Sequence, residues 1–269
     1  MEFLSGFFTQ ILSSAGIIFL FGWLISLLRR GFCRITGKAG PGILLATGII
    51  GTPVHELSHA LMCVLFGHQI TDIKLYNPKS QDGALGYVSH TYNKKNIYHQ
   101  IGNFFIGVAP VLFGGGAVVL LLALLLPDAF EVISYDIEIL SEAELGLLPI
   151  SDFFLFLWSS ASEIFSEQSL SGWQGWVFII LALMIATHME MSGSDIKSGM
   201  RGFAFLLVIF LLLDGAIYLI SPDAFFIMTG AIASFGFALA AILSISALFL
   251  LILLIVAAIL RGIGMLFSK

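Results

Sequence analysis

Charged residues are scarce in this chain, in which only 11% of the residues are Asp, Glu, Lys or Arg. A soluble domain has about a quarter, so the composition excludes an ordinary soluble enzyme. The chain also lacks the basic face that nucleic-acid-binding proteins carry, and its net charge is -5. Its two cysteines, Cys33 and Cys63, are too few for a disulfide framework.

Long apolar runs are what the chain has instead: 58% of its residues are hydrophobic and the mean hydropathy is +1.02. A bilayer core of about 30 Å needs about 20 helical residues. We therefore predict an all-α polytopic membrane protein, a single membrane domain over residues 1–269. About six transmembrane helices are expected, with five or seven as alternatives: residues 7–28, 43–66, 103–126, 173–191, 203–220 and 224–260. The last run exceeds one perpendicular span and predicts either a tilted helix or a break near Gly230 or Gly236.

The second apolar run contains the motif H-E-x-x-H, formed by His55, Glu56 and His59. Positions i and i+4 share one face of a helix, so the two imidazoles can bind one metal ion. Glu56 is close enough to reach a water on that metal. Polar groups inside a span are costly unless they have partners. The motif therefore predicts a zinc site rather than two unrelated buried histidines.

The polar stretch at residues 68–102 follows this span directly. Two short β-prone runs, residues 70–76 and 85–92, flank a turn-forming cluster that ends in Asp82-Gly83. This pattern predicts a β-hairpin just after the metal-binding helix. An irregular loop is the alternative.

The loop at residues 127–172 has nine Asp or Glu and no Lys or Arg. Its apolar and aromatic middle, residues 147–165, is predicted to lie on the membrane surface. With six spans, the hairpin side carries eight basic residues and the other side four. The eight are Lys74, Lys79, Lys94, Lys95, Lys197, Arg201, Arg261 and Lys269, and the four are Arg29, Arg30, Arg34 and Lys38. Because basic loops favour the cytoplasm, a cytoplasmic hairpin and an extracytoplasmic acidic loop are predicted.

Several other polar residues have ordinary interpretations. Three histidines are interpreted as loop residues: His68, His90 and His99. Asn103 is interpreted as the cap of the third span, and Glu190 as an interfacial residue. His188 is interpreted as solvated at a helix end, with contact to a metal ligand, or metal binding by His188 itself, as the alternatives.

The chain resembles the site-2 protease family of intramembrane zinc metalloproteases in three features. These are the motif inside a span, the β-prone segment that follows it and a later helix with an acidic residue. The resemblance covers residues 43–199, a protease-like core. The first span, the acidic loop and the C-terminal helices at residues 203–269 are not included. The resemblance implies that His55 and His59 bind Zn²⁺ and that Glu56 is the general base acting on a zinc-bound water.

The third zinc ligand in this family is an aspartate, for which the chain offers two candidates. Asp214 matches the letters of the family's Leu-Asp-Gly motif, but it lies on the predicted fifth span, which runs in the opposite direction to the metal-binding helix. Asp195 matches its position, on a helix that runs parallel to the metal-binding helix. A divergent branch of the family has a segment similar to His188-Met189-x-x-Ser192-x-x-Asp195-Ile196-Lys197 and a stretch similar to Gly102-Asn103-Phe104-Phe105-Ile106-Gly107-x-Ala109-Pro110. Asp195 is therefore the favoured ligand and Asp214 the alternative.

The resemblance implies an integral protein of the bacterial cytoplasmic membrane. Its activity would be hydrolysis of peptide bonds in transmembrane or membrane-associated protein substrates, with the lipid bilayer as its other partner. The alternative is a non-proteolytic membrane scaffold or transporter subunit with a structural or vestigial zinc site. Glu56 favours the enzyme, because a purely structural site does not need a carboxylate in that position.

Overall fold

The fold is all-α apart from one small sheet in this computed structural model, which describes residues 1–80, 83–142 and 150–267. The helices before the sheet are α1 Glu2–Ile11, α2 Ile17–Thr36 and α3 Gly40–Leu65, with a π-helical turn at Leu12–Gly16 between the first two. The helices after it are α4 Ile97–Leu125, α5 Pro127–Glu142, α6 Ile150–Ile164, α7 Glu167–Ser171, α8 Trp173–Ala186, α9 Gly193–Ile220 and α10 Pro222–Phe267.

Four helical stretches among the described residues are long and apolar enough to cross a membrane: Glu2–Leu65, Ile97–Leu125, Gly193–Ile220 and Pro222–Ile263. They are compatible with an integral membrane protein. The first stretch folds back on itself at Gly37, whose φ of 54° is costly for residues with a side chain. The predicted number of six spans is not confirmed.

The predicted β-hairpin is confirmed. β1 Gln69–Lys74 pairs with β2 Tyr87–Thr91 in antiparallel register, with an irregularity between Ile70 and Asp72. Gly67, at a φ of 69°, turns the chain out of α3 and into β1. Asp82, which belongs to the predicted turn, lies outside the described residues.

The predicted fourth and fifth spans do not have the expected bounds, and the fifth span does not have the expected direction. α8 ends at Ala186, and α9 begins at Gly193. The chain from α8 to the start of α9 runs parallel to α3, because contacts advance in step along both: Gly51 with Met184, His55 with His188, and His59 with Asp195.

α9 keeps this direction. α4 runs antiparallel to α3, with Gly102 beside Phe66, and α9 runs antiparallel to α4. Asp195 of α9 lies beside Gly107, whereas Gly202 lies beside Phe104, nearer the start of α4. α8 and α9 are therefore one interrupted run rather than two antiparallel spans.

The last predicted span is a single helix with no break at Gly230 or Gly236. At 1.5 Å per residue its 46 residues extend about 69 Å. It runs in the same direction as α1 and α2, with matched contacts along its length: Gly6 with Phe225, Ser13 with Gly236, Gly31 with Leu254, and Arg34 with Arg261.

This arrangement changes the charge count that predicted the orientation. Arg261 donates to the carbonyls of Arg34 and Ile35 at the end of α2, away from the hairpin. Arg261 is therefore counted on the side opposite the hairpin, and Lys269 lies outside the described residues. The hairpin side then has six basic residues and the opposite side has five. The charge count therefore no longer decides the orientation.

The acidic loop contains α5, α6 and α7. Phe156 and Ile164 of α6 are buried, and Phe154, Leu155 and Trp158 are exposed. Residues 143–149 lie outside the described part. Contact of this segment with the membrane surface stays a prediction.

Candidate metal centre

A cavity of about 390 Å³ lies where α3, α4, the hairpin and the α8–α9 connection meet. Its lining includes the motif residues on α3, two residues of the α8–α9 connection and one at the start of α9: His55, Glu56, His59, His188, Glu190 and Asp195. The elements approach closely because small residues separate them. A β-carbon at Gly51 would collide with the carbonyl of Met184, and one at Gly107 would lie 2.5 Å from the carbonyl oxygen of Asp195.

The two motif histidines are oriented by backbone carbonyls. Nδ1 of His55 lies 2.7 Å from the carbonyl oxygen of His188, and Nδ1 of His59 lies 2.7 Å from that of Ile106. A carbonyl only accepts, so both Nδ1 atoms carry the ring proton. Each neutral imidazole therefore keeps a lone pair on Nε2.

The two Nε2 atoms lie 3.1 Å apart. With both ring protons on Nδ1, this contact sets two lone pairs against each other, which is unfavourable without a cation between them. Two nitrogens that bind one tetrahedral zinc at about 2.1 Å are about 3.4 Å apart. The spacing and the tautomers of His55 and His59 therefore fit a shared metal ion.

Asp195 adds a carboxylate to the pair. Its Oδ1 is 3.6 Å from Nε2 of His59, and Oδ2 accepts from the backbone N–H of Ser192 at 2.8 Å. The Ser192 hydroxyl accepts in return from the N–H of Asp195, which completes a capping box at the start of α9. His55, His59 and Asp195 each offer a donor atom within 4.8 Å of the others. We call these three residues the histidine–aspartate cluster.

Asp214 is not part of this cluster. It lies on α9, the same helix as Asp195, so the expected difference in helix direction between the two aspartates is wrong. Nineteen residues of helix separate them, which is about 28 Å. Asp214 is 1% exposed, and neither carboxylate oxygen has a hydrogen-bond partner among the described residues.

Glu56 lies in the same cavity as the cluster and is 6% exposed. The segment before β2 covers it. A β-carbon at Gly86 would lie 2.7 Å from Cγ of Glu56 and 2.8 Å from the carbonyl oxygen of Lys74. Glycine at this position thus allows the hairpin to lie directly on the general-base candidate.

The connection between α8 and α9 is irregular backbone that lines the cavity. His188 is buried there, with its ring nitrogens near the hydroxyls of Thr47 and Thr52. Its interpretation as a solvated residue is wrong. Glu190 forms an ion pair with Arg29 of α2 at the cavity wall.

Asn103 is not a helix cap. Asn96 caps α4 by accepting from the N–H of Tyr98. Asn103 is fully buried inside the helix and accepts from the hydroxyl of Ser198, one turn after Asp195. The Asn103 side chain therefore helps to hold the second turn of α9 against α4.

The histidines interpreted as loop residues also have defined surroundings. His68 is buried, His90 is on β2, and His99 is in the first turn of α4. Burial lowers the pKa of both His68 and His90 below the ordinary histidine value. Both rings are therefore neutral at pH 7.

No protein-family model, curated protein or solved structure matches this chain. The residues and geometry of the cavity are therefore what indicates its function.

Proposed function

We propose that this protein is an intramembrane zinc metalloprotease of the site-2 protease type, with His55, His59 and Asp195 as zinc ligands. The observation that carries the proposal is the 3.1 Å contact between two Nε2 atoms whose ring protons are both on Nδ1. Asp195 supplies the negative charge that a divalent cation favours. Three protein ligands leave a fourth position for water, as in catalytic rather than structural zinc sites.

Bound zinc would supply a Lewis acid and a water whose pKa falls to about 7. Glu56, next to His55 in the cavity, takes the proton from the attacking water. It then passes that proton to the amine that leaves the scissile peptide bond. The carbonyls of His188 and Ile106 keep the imidazoles in the tautomer that leaves Nε2 unprotonated. The segment at Gly86 limits the water that reaches Glu56.

The long apolar helices favour a substrate that reaches the cavity within the bilayer, namely a transmembrane or membrane-associated segment of another protein. Purified protein should cleave such a segment in detergent. His55→Ala with His59→Ala should lose one zinc per chain and the cleavage together, because both Nε2 ligands are gone. Zinc is measured by mass spectrometry on protein of unchanged elution volume. Full zinc content in the double variant would contradict the proposal.

We further propose five membrane crossings, formed by α1–α2, α3, α4, α8–α9 and α10, with the hairpin in the cytoplasm of a bacterial cell. The support is the parallel course of α3, α8 and α9, together with the family resemblance, in which the metal-binding helix runs from outside to inside. Five crossings place the C-terminus opposite the hairpin, whereas six would place it on the same side.

Single-cysteine labelling of intact cells tests this topology. A cysteine at Lys79 should be protected from a membrane-impermeant reagent, and one at Glu131 of α5 should react. A C-terminal tag should be accessible from outside. The parent protein controls for labelling of Cys33 and Cys63. Reaction at Lys79 with protection at Glu131 would reverse the orientation, and a protected C-terminal tag would contradict five crossings.

A further inference from the structure

A second group of metal-ligand residues lies beyond the histidine–aspartate cluster, at the end of α3. It consists of Cys63 on α3, His68 just after that helix and His90 on β2, and we call it the cysteine–histidine cluster. One donor atom of each residue lies within 4.8 Å of the others. Cys63 follows His59 by four residues, so its side chain is one turn farther along the same face of α3.

Two ring nitrogens in this cluster are buried without partners. His68 is 5% exposed, and its Nε2 donates to the carbonyl of His99 at 2.9 Å. Its Nδ1 therefore keeps a lone pair, yet that atom has no hydrogen-bond partner among the described residues. Nδ1 of His90 is also buried, and no partner for it lies in the described part of the chain. Buried polar atoms are nearly always satisfied, and a cation would satisfy both at once.

The orientation of His68 is the one that metal-binding histidines adopt. A ligating imidazole usually donates its other N–H to a carbonyl or carboxylate, which fixes the ring. The carbonyl of His99 does this for His68. The ring of Tyr92 stacks on the imidazole of His68, at a centroid distance of 4.6 Å and an interplanar angle of 14°. His68 is thus held rigidly with its free nitrogen inside the protein.

We propose that Cys63, His68 and His90 bind a second divalent cation of the zinc class. One thiolate and two imidazoles are soft and borderline donors, which favour zinc over calcium or magnesium. Three protein ligands leave the fourth position to water. Binding replaces the thiol proton of Cys63, which is released to solvent.

The cysteine–histidine cluster links β2 to the end of α3. The residues just before β2 cover Glu56, with Gly86 in closest approach. A cation held by His90 and Cys63 therefore fastens the hairpin in the position that covers the first cavity. The proposal itself does not depend on proteolysis, because it concerns a separate set of ligands.

Cobalt substitution of the purified, metal-stripped protein tests the proposal without relying on activity. A thiolate bound to Co²⁺ gives a charge-transfer band in the near ultraviolet, and the histidine–aspartate cluster contains no sulfur. The band should appear in the wild-type protein with the intensity of one thiolate-bound Co²⁺ per chain. It should vanish in Cys63→Ser and remain in Cys33→Ser, the matched control.

The band should also remain in His55→Ala with His59→Ala, which separates this cluster from the proposed catalytic zinc. His90→Gln, on strand β2 of the hairpin, should weaken cobalt binding at least about tenfold and provides a second variant if Cys63→Ser fails to fold. Absence of the band in folded wild-type protein would overturn the proposal. Its persistence in Cys63→Ser would do the same. Loss of cleavage alone in the double histidine variant would leave the second cation site standing.

Discussion

Replacing Asp195 by alanine is expected to remove one zinc per chain, the proposed catalytic one, together with cleavage, whereas Asp214→Ala should keep both. Oδ1 of Asp195 lies 3.6 Å from Nε2 of His59, and Asp214 is about 28 Å farther along the same helix. The loss of zinc affinity for Asp195→Ala should exceed about 100-fold, because even the partners of metal ligands contribute 10- to 100-fold. Removing the unpartnered buried carboxylate of Asp214 should cost little stability or increase it.

Asp195 also caps α9, so the alanine variant needs a control for lost helix stability. Ser192→Ala removes the other half of the capping box and leaves the carboxylate in place. Each cap substitution should cost about 1 kcal/mol of folding free energy. Zinc content and cleavage in detergent are measured for the three variants side by side. Zinc retained in Asp195→Ala but lost in Asp214→Ala would reverse the ligand assignment, and zinc lost in Ser192→Ala would make the effect one of helix stability.

The main parts of the fold were predictable from the sequence because they depend on local patterns. The apolar run around His55 predicts a helix, and the spacing of H-E-x-x-H places its two histidines on one face of that helix. Both features lie on α3. The β-prone runs on either side of residues 77–83 predict the hairpin, which the register of β1 and β2 confirms. Periodicity and turn chemistry are enough for such elements.

The path of α8 and α9 was not predictable in the same way. A polar segment such as residues 187–202 can be a loop that reverses the chain or an interruption in a run that continues. Hydropathy does not distinguish these cases. Tertiary contacts do: His188 lies beside His55, and Asp195 lies beside His59. The prediction that Asp195 is on a stretch parallel to α3 agrees with these contacts, although the stretch is the start of α9 and not the end of the fourth span.

Two further parts of the cavity leave little signal in a sequence. The partners of the histidine Nδ1 atoms are the carbonyls of His188 and Ile106, and every residue type has a carbonyl. The ion pair of Arg29 with Glu190 joins residues 161 positions apart. Cys63 differs from these residues, because its spacing of four residues from His59 can be read directly from the sequence. Its meaning depends on His68 and His90, which only the folded hairpin brings to the end of α3.

Glu56→Gln is expected to abolish nearly all cleavage while the protein keeps its zinc. Glutamine has almost the same size and leaves the metal ligands unchanged, but it cannot take a proton from water at neutral pH. Loss of a general base lowers the rate by about 10²- to 10⁴-fold. Leu57→Gln, on the exposed face of the same turn, introduces the same side chain outside the cavity and is the matched control.

The most direct measurement is the zinc content and the cleavage rate of Glu56→Gln beside the wild-type protein, with one transmembrane substrate in the same detergent. The metalloprotease proposal predicts equal zinc in both proteins, a cleavage rate reduced by about 10²- to 10⁴-fold in Glu56→Gln, and a near wild-type rate in Leu57→Gln. A wild-type cleavage rate in Glu56→Gln would contradict the assignment of Glu56 as the general base and the proposed mechanism with it.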